Sequence, residues 1–582
     1  MKSSGQRERA VFVALCVLLS AFLLVQFAPA LSQAFSGDDF ELLSLARTGG
    51  LRRSILPAPR RGMFIKPLMS AVWALAAALL GPAARGYYAL LLATHLANAL
   101  LLGLLAASLE RCWGSPEPAN PGPLPPGALG SAAWTGLATA AIWAAHDRLA
   151  EPLYSISAWN HSLTFTLYLS ALLCLLGSLR THSRPLLLLS GLLALAALLS
   201  YEVALSLLAA GLLLAVLHPA GSVTSRLRFA LPAILAAGGS YALLRWVIGL
   251  QGGQPSYHFI AWSLAPRNFS EIGLAFLRVR SGWLSPGAIP AAALAILLLL
   301  GLILIKDRVA RFGLGWFLVS SLVASPIPDY SDRYHYIPFA GLALATGRLA
   351  AFCLSRAARP DPIARHSART RWSWVVGAVI AVHLAWGFAG SKEQAGWYGL
   401  KARAHGALAE QAARALEREE ARPGSIVALV WRHEPGRTEA HRLAAAAGSL
   451  PARFGGWNWP VYVRPQAVLG LVAPVDLLNV ARAGRSEFYK EPEPAEAARA
   501  IMERSLIVIP LDGSDARVPP LRDDPSLRRT VPEQLAESLR ARREIAREIP
   551  AGGRPEETLR IAYVQRTDRS GAAAWEFRPA GP

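Results

Sequence analysis

Apolar residues in this chain fall into long blocks separated by short polar stretches, and the spacing of those blocks predicts a helical bundle embedded in a membrane. Twelve blocks stand out, at roughly 10–33, 67–81, 87–109, 131–146, 153–178, 184–199, 201–218, 228–249, 288–305, 311–327, 336–355 and 373–390. A bilayer core of roughly 30 Å needs about 20 apolar residues in a helix, fewer where polar ends reach the headgroups. A soluble core has no use for so many such blocks. The pattern changes after Trp397. Residues 393–420 read as an Ala/Glu/Arg helix, and Ser425–Trp431, Ser505–Pro510 and Leu559–Gln565 read as strands separated by helix and loop. The expected architecture is an α-helical polytopic membrane domain over 1–392, followed by a small mixed α/β domain over 393–582.

Arginine and lysine set the expected topology. If all twelve blocks crossed with Lys2, Arg7 and Arg9 inside, four basic loops would face outward. They carry Arg180 and Arg184, Arg226 and Arg228, Lys306, Arg308 and Arg311, and Arg356 through Arg371. That arrangement breaks the positive-inside rule four times in succession. Demoting one early block repairs all four. The block at 67–81 is the shortest, opens with Lys66-Pro67 and ends at Gly81-Pro82, so it is expected to be re-entrant or to lie along the outer surface. About eleven spans then remain, within a range of about 10–13, in a bacterial inner membrane. The N-terminus is cytoplasmic and the C-terminal domain extracytoplasmic. The outer loops become 34–86, 146–153, the turn at Tyr201-Glu202, 250–287 and 327–335. An alternative for the first block is a cleaved leader, because Ala28–Ala34 resembles a signal-peptidase site.

Composition sharpens this picture. Hydrophobic residues make up 53% of the chain and charged ones 17%, in keeping with a membrane protein. The net charge of +20 belongs to cytoplasmic-loop arginines and does not indicate a nucleic-acid partner. Of Cys16, Cys112, Cys174 and Cys353, three lie inside apolar blocks and none in the C-terminal part, so no disulfide framework is expected.

Candidate chemistry concentrates in the outer loops. Ser36-Gly37-Asp38-Asp39-Phe40-Glu41 follows the first block directly. A carboxylate pair at a membrane boundary is costly unless solvated, paired or used. One carboxylate can take an acceptor proton as a sugar is transferred, while its neighbour holds hydrogen bonds or raises its pKa. The plainer use is a helix N-cap at Asp38. The same loop carries Arg47, Arg52, Arg53, Arg60, Arg61 and Lys66, against the positive-inside rule. Outer cations beside a membrane suit a lipid phosphate, which arginine grips with two parallel hydrogen bonds, or ordinary anionic headgroups. A third cluster is Asp329-Tyr330-Ser331-Asp332-Arg333-Tyr334-His335-Tyr336, denser in charge than an interfacial aromatic belt requires. His146 and Glu151 flank one outer turn, Glu202 follows Ser200-Tyr201 at another, and His95 and Asn98 sit one turn apart in an early block.

Taken together, these segments resemble the GT-C superfamily of polytopic membrane glycosyltransferases, and within it the tetratricopeptide-linked O-mannosyltransferase-like branch. The matching features are Asp38-Asp39 after the first helix, Lys66-Pro67-Leu68, His95 with Asn98, the turn at His146 and Glu151, Ser200-Tyr201-Glu202, and Asp332-Arg333-Tyr334-x-Tyr336-x-Pro338 with Gly341 following. The chain departs from that branch at Asp147 and Leu149, which replace a proline and a histidine, and at Tyr201, which replaces a lysine. No tetratricopeptide array follows. The resemblance implies inverting transfer of a hexose or pentose from a polyprenyl-phosphate sugar to a hydroxyl on a protein, glycolipid or cell-wall glycan. Asp38, with Asp39 second, would be the base. Arg333, Tyr334 and Tyr336 would hold the donor phosphate, helped by Lys66, Arg52, Arg53, Arg60 and Arg61. His146, Glu151 and Glu202 would line the cavity. No cofactor and no protein-held metal is implied, a divalent ion beside the donor being left open. The expected partners are membrane lipid, the lipid-linked donor and the hydroxyl acceptor. The rival is a lipid-linked-saccharide flippase, which would place its charges near the bilayer midplane and show inverted repeats.

Overall fold

The computed structural model describes residues 4–33, 35, 39, 66–81, 83–113, 130–251, 262–278, 288–327, 331–357, 374–396 and 398–399, together with four strands near the C-terminus. All twelve apolar blocks are helical. They form α1 (Ser4–Phe27), α2 (Pro67–Leu80), α3 (Ala84–Trp113), α4 (Ser131–Ala144), α5 (Trp159–Thr181), α6 (Arg184–Ser200), α7 (Leu205–Leu217) and α8 (Val223–Gln251). After α9 (Ala265–Phe276) come α10 (Ala288–Leu304), α11 (Arg308–Ala324), α12 (Pro338–Ala357) and α13 (Trp374–Gly396). Among the described residues five helices are long and apolar enough to cross a membrane, and five shorter ones are also apolar. Val13, Leu79, Leu188, Ile303 and Trp374 stand exposed on their surfaces, where hydrocarbon rather than water would meet them.

Local signals place the helix ends. Ser183 caps α6 by accepting from the Leu186 N–H, and Asp307 caps α11 by accepting from the Ala310 N–H at 2.9 Å. Inside the bundle, small residues let backbones meet. A Cβ on Gly313 would lie 2.6 Å from the Gly341 carbonyl oxygen, so α11 and α12 pack backbone against backbone.

The bundle has two polar ends. At one, Arg348 Nε lies 2.9 Å from both Glu110 and Asp307, and Arg226 donates to the carbonyls of Ala215, Val216, Ala220 and Gly221. This end carries several of the loops expected to be cytoplasmic. The other end, the mouth, gathers residues from the expected outer loops. Both ends of α2 lie there: the Lys66 ammonium sits 4.1 Å over the Tyr201 ring, and the Gly81 carbonyl accepts from the Tyr87 hydroxyl at 2.9 Å.

An additional helix, α9, lies within the expected loop 250–287. It buries Phe269, Ile272 and Ala275, and the Asn268 amide donates to the carbonyls of Ser325 and Ile327. Polar residues at Arg267, Asn268, Ser270 and Glu271 break its first half, and its one apolar run, Leu274–Leu277, is too short to stand out as a block.

Near the C-terminus β1 (Ile426–Trp431) pairs in parallel with β2 (Leu506–Leu511), with Ile426 opposite Leu506. The strand β3 (Ile561–Thr567) pairs antiparallel with β4 (Ala573–Pro579), with Ile561 opposite Pro579. Three of these match expected strands to within two residues, and β4 was not expected. Of the expected helix 393–420, residues 393–396 and 398–399 are helical and the rest lie outside the described residues.

Candidate active site

One short stretch of chain ties the mouth together. After α4 ends, His146 Nδ1 accepts from the Arg148 N–H at 3.2 Å and starts a tight turn. Pro152 then sits in the first turn of a four-residue helix, Glu151–Tyr154, where its missing N–H costs nothing. A second tight turn, Ile156–Ala158, leads into α5. At one end of this stretch the Ser157 N–H donates to Asp39 Oδ1 at 2.6 Å, and Asp39 is fully enclosed. At the other, Glu151 Oε2 accepts from the Arg333 backbone N–H at 2.9 Å, and Glu151 Oε1 lies 3.9 Å from Arg333 Nε. Residues more than a hundred positions apart are thus held by one connector.

Around it lies a cluster of charges and rings. Arg148 pairs with Asp332 at 3.2 Å, which raises the already high pKa of its guanidinium. His335 is 3.6 Å from Asp332 and stacks on Phe339, yet burial lowers its pKa to about 4, so its ring is neutral at pH 7. The Arg333 guanidinium lies 5.5 Å from the Tyr334 ring, and the hydroxyls of Tyr334 and Tyr201 are 2.9 Å apart. His161, at the start of α5, sets its ring edge-on to both tyrosines. Arg333, Tyr334, His161, Ser206 and Ser320 line a small cavity behind this layer. Lysine, arginine, imidazole and phenol groups converging in this way can receive an anionic headgroup with charge-assisted hydrogen bonds.

The structure brings together Asp39, Lys66, Glu151, Arg333 and Tyr334. It puts other candidates elsewhere. Tyr336, expected to offer its hydroxyl to a phosphate, is fully buried and turned inward: the hydroxyl is 2.8 Å from His95 Nδ1 and accepts from the Asn98 amide at 3.3 Å. Because His95 Nε2 can only donate to the Ala144 carbonyl, Nδ1 accepts from Tyr336, and His95 and Asn98 are committed to holding α3, α4 and α5 together. His146, expected in the cavity wall, is likewise enclosed: Nδ1 caps its own turn while Nε2 donates to the Phe276 carbonyl at 3.2 Å. Glu202 pairs with Arg245 of α8 at 2.7 Å. Asp38, Arg52, Arg53, Arg60 and Arg61 lie outside the described residues.

Sequence reasoning missed His161 and Arg278. His161 follows Trp159-Asn160 inside an apolar block, the one signal that could have raised it. Arg278 has a positive φ of 55°, lies 3.1 Å from Asp147 and donates to the His383 carbonyl at 3.1 Å. Burial raises the Asp147 pKa and Arg278 opposes that rise. Among the described residues no group of three or more His, Cys, Asp or Glu is placed to hold a metal ion.

No family model matches the chain, and no curated protein does. Among solved structures it is similar to ArnT from Cupriavidus metallidurans, determined bound to undecaprenyl phosphate, at 14% identity and a TM-score of 0.44. The match covers 78% of this chain and 89% of that one, and at this distance it decides nothing about chemistry.

Proposed function

We propose that the chain is an inverting GT-C-type membrane glycosyltransferase that moves a sugar from a polyprenyl-phosphate donor to a hydroxyl acceptor at the mouth. The supporting observation is the convergence of Asp39, Lys66, Glu151 and Arg333, from three separate loops, on one end of the bundle. Asp39 already accepts from the Ser157 N–H, so its role is to fix the first loop. Asp38 is then the base that takes the acceptor proton as the bond to the sugar forms. Lys66 and Arg333 supply the cations for the donor phosphate, which leaves already ionised and needs no acid, with Tyr334 beside them. Glu151 holds the Arg333 backbone in place.

In this reading about eleven helices cross, the N-terminus is cytoplasmic, and the mouth and C-terminal region face outward. A cysteine at position 435 then labels in intact cells; labelling only after permeabilisation would reverse the orientation. For the activity, purified protein is titrated with a polyprenyl-phosphate sugar, and release of polyprenyl phosphate is followed with hydroxyl acceptors present. Absence of both binding and release would end the proposal.

A further inference from the structure

The chain leaving α13 returns to the mouth. Tyr398 is only 5% exposed, and its ring stacks on Tyr154 with centroids 5.9 Å apart and an interplanar angle of 17°. The Tyr154 ring meets Phe27 at 6.4 Å, and its carbonyl accepts from the Tyr88 hydroxyl at 3.3 Å. Tyr154 closes the four-residue helix that begins at Glu151, whose carboxylate holds the Arg333 N–H. Ser157, three residues further on, holds Asp39.

The approach of Tyr398 is itself anchored. Gln26 Nε2 donates to the Ser391 hydroxyl at 2.7 Å and to the Ala145 carbonyl at 3.1 Å, and His383 Nε2 donates to the Ile142 carbonyl at 2.8 Å. Gly387 passes directly over the Ala145 carbonyl, and a Cβ on Gly390 would meet the Asp147 carboxylate at 2.8 Å. Gln33 donates to the Ala395 carbonyl, one turn before Tyr398. Burial and the nearby carboxylates of Glu151 and Asp332 push the Tyr398 pKa well above the ordinary phenol value, so the side chain stays neutral against a charged site.

We propose that Tyr398 is a positioning residue of the mouth. By stacking on Tyr154 it holds the 151–158 connector, and through that connector the Glu151–Arg333 and Ser157–Asp39 contacts. The helical residues just beyond Gly396 thereby become part of the site. The consequence for donor binding rests on the function proposed above; the positioning itself does not.

The test uses the full-length protein in detergent micelles and the substitutions Tyr398→Ala and Tyr398→Phe. Tyr398→Ala removes the stacked ring together with its buried area and is expected to raise amide exchange in residues 151–158 by ~10-fold. Exchange in α3 should stay unchanged, and affinity for a polyprenyl phosphate should fall by ~10-fold in parallel. Tyr398→Phe keeps the ring and should restore both. Unchanged exchange in 151–158, a uniform rise across the whole bundle, or failure of phenylalanine to restore would each overturn the proposal. If wild type does not bind the lipid phosphate, the donor reading falls and the exchange data alone decide the role of Tyr398.

Discussion

The two ends of the bundle use charge differently. At the end away from the mouth, Arg348 lies 2.9 Å from each of two carboxylates and is 9% exposed, while the Arg226 guanidinium donates to four carbonyls. Those cations are engaged by groups on neighbouring helix ends, and their work is to join them. At the mouth, Arg148, Asp332 and Arg333 keep a quarter to a third of their side-chain surface open. There Arg333 meets Glu151 at 3.9 Å, and Lys66 rests over a ring. Paired, dehydrated charges give a rigid end; partly open charges beside aromatic faces give an end that can still receive an anion. The contrast lies in how the loops deliver the charges, since both ends are rich in arginine.

Four experiments would break or sharpen this contrast, the largest effect first. Arg348→Met removes the cation shared by Glu110 and Asp307 and is expected to cost about 3 kcal/mol of stability in detergent unfolding, with transfer per folded molecule unchanged. If instead transfer is lost while unfolding is unaffected, the two ends have been assigned the wrong way round. Asp38→Asn should leave unfolding alone and lower transfer by ~10²-fold or more, as for a positioned base. A wild-type rate would return Asp38 to helix capping. Arg333→Lys puts a point charge where a planar fork should meet phosphate oxygens, and donor affinity should fall by ~10-fold with a smaller change in the chemical step. Equal affinities in a titration would remove Arg333 from the phosphate site.

The smallest expected effect is a pH dependence of stability. Burial depresses the folded-state pKa of His335 from the ordinary 6.5 to about 4, so the unfolded chain binds the proton more tightly. Its stabilising contribution is complete above pH 6.5 and is lost as pH falls toward 4. The loss should be about 1.4 kcal/mol at pH 5.5. His335→Gln should flatten unfolding curves measured across that window, and an unaltered slope would show that another group carries it.

Legibility differed between bundle and mouth. The helices were readable because each buries or exposes its own apolar run, a local property. The helix α9 escaped because polar residues interrupt it and its one apolar run, Leu274–Leu277, is far shorter than a membrane-spanning block. Tyr334 and Tyr336 look alike in sequence, both aromatic within the same Asp-Arg-Tyr motif. Their backbones start one on each side of the bend from the tight turn at 332–335 into α12. That bend aims Tyr334 at Tyr201 in the mouth and Tyr336 at His95 and Asn98 in the interior.

By itself the sequence determined that this is a helical protein with segments long and apolar enough to span a membrane, and roughly where those helices lie. Hydrophobic length and arginine placement are properties of short segments, and hydrocarbon enforces them one segment at a time. Which polar residues meet was decided only by the tertiary structure. Asp39 finds Ser157, Glu151 finds Arg333, and Tyr398 finds Tyr154 across separations of 118, 182 and more than two hundred residues. Such pairs depend on how the helices pack and which ends they share. A buried hydrogen bond or stacked ring leaves no periodic trace along the chain from which that packing could be read.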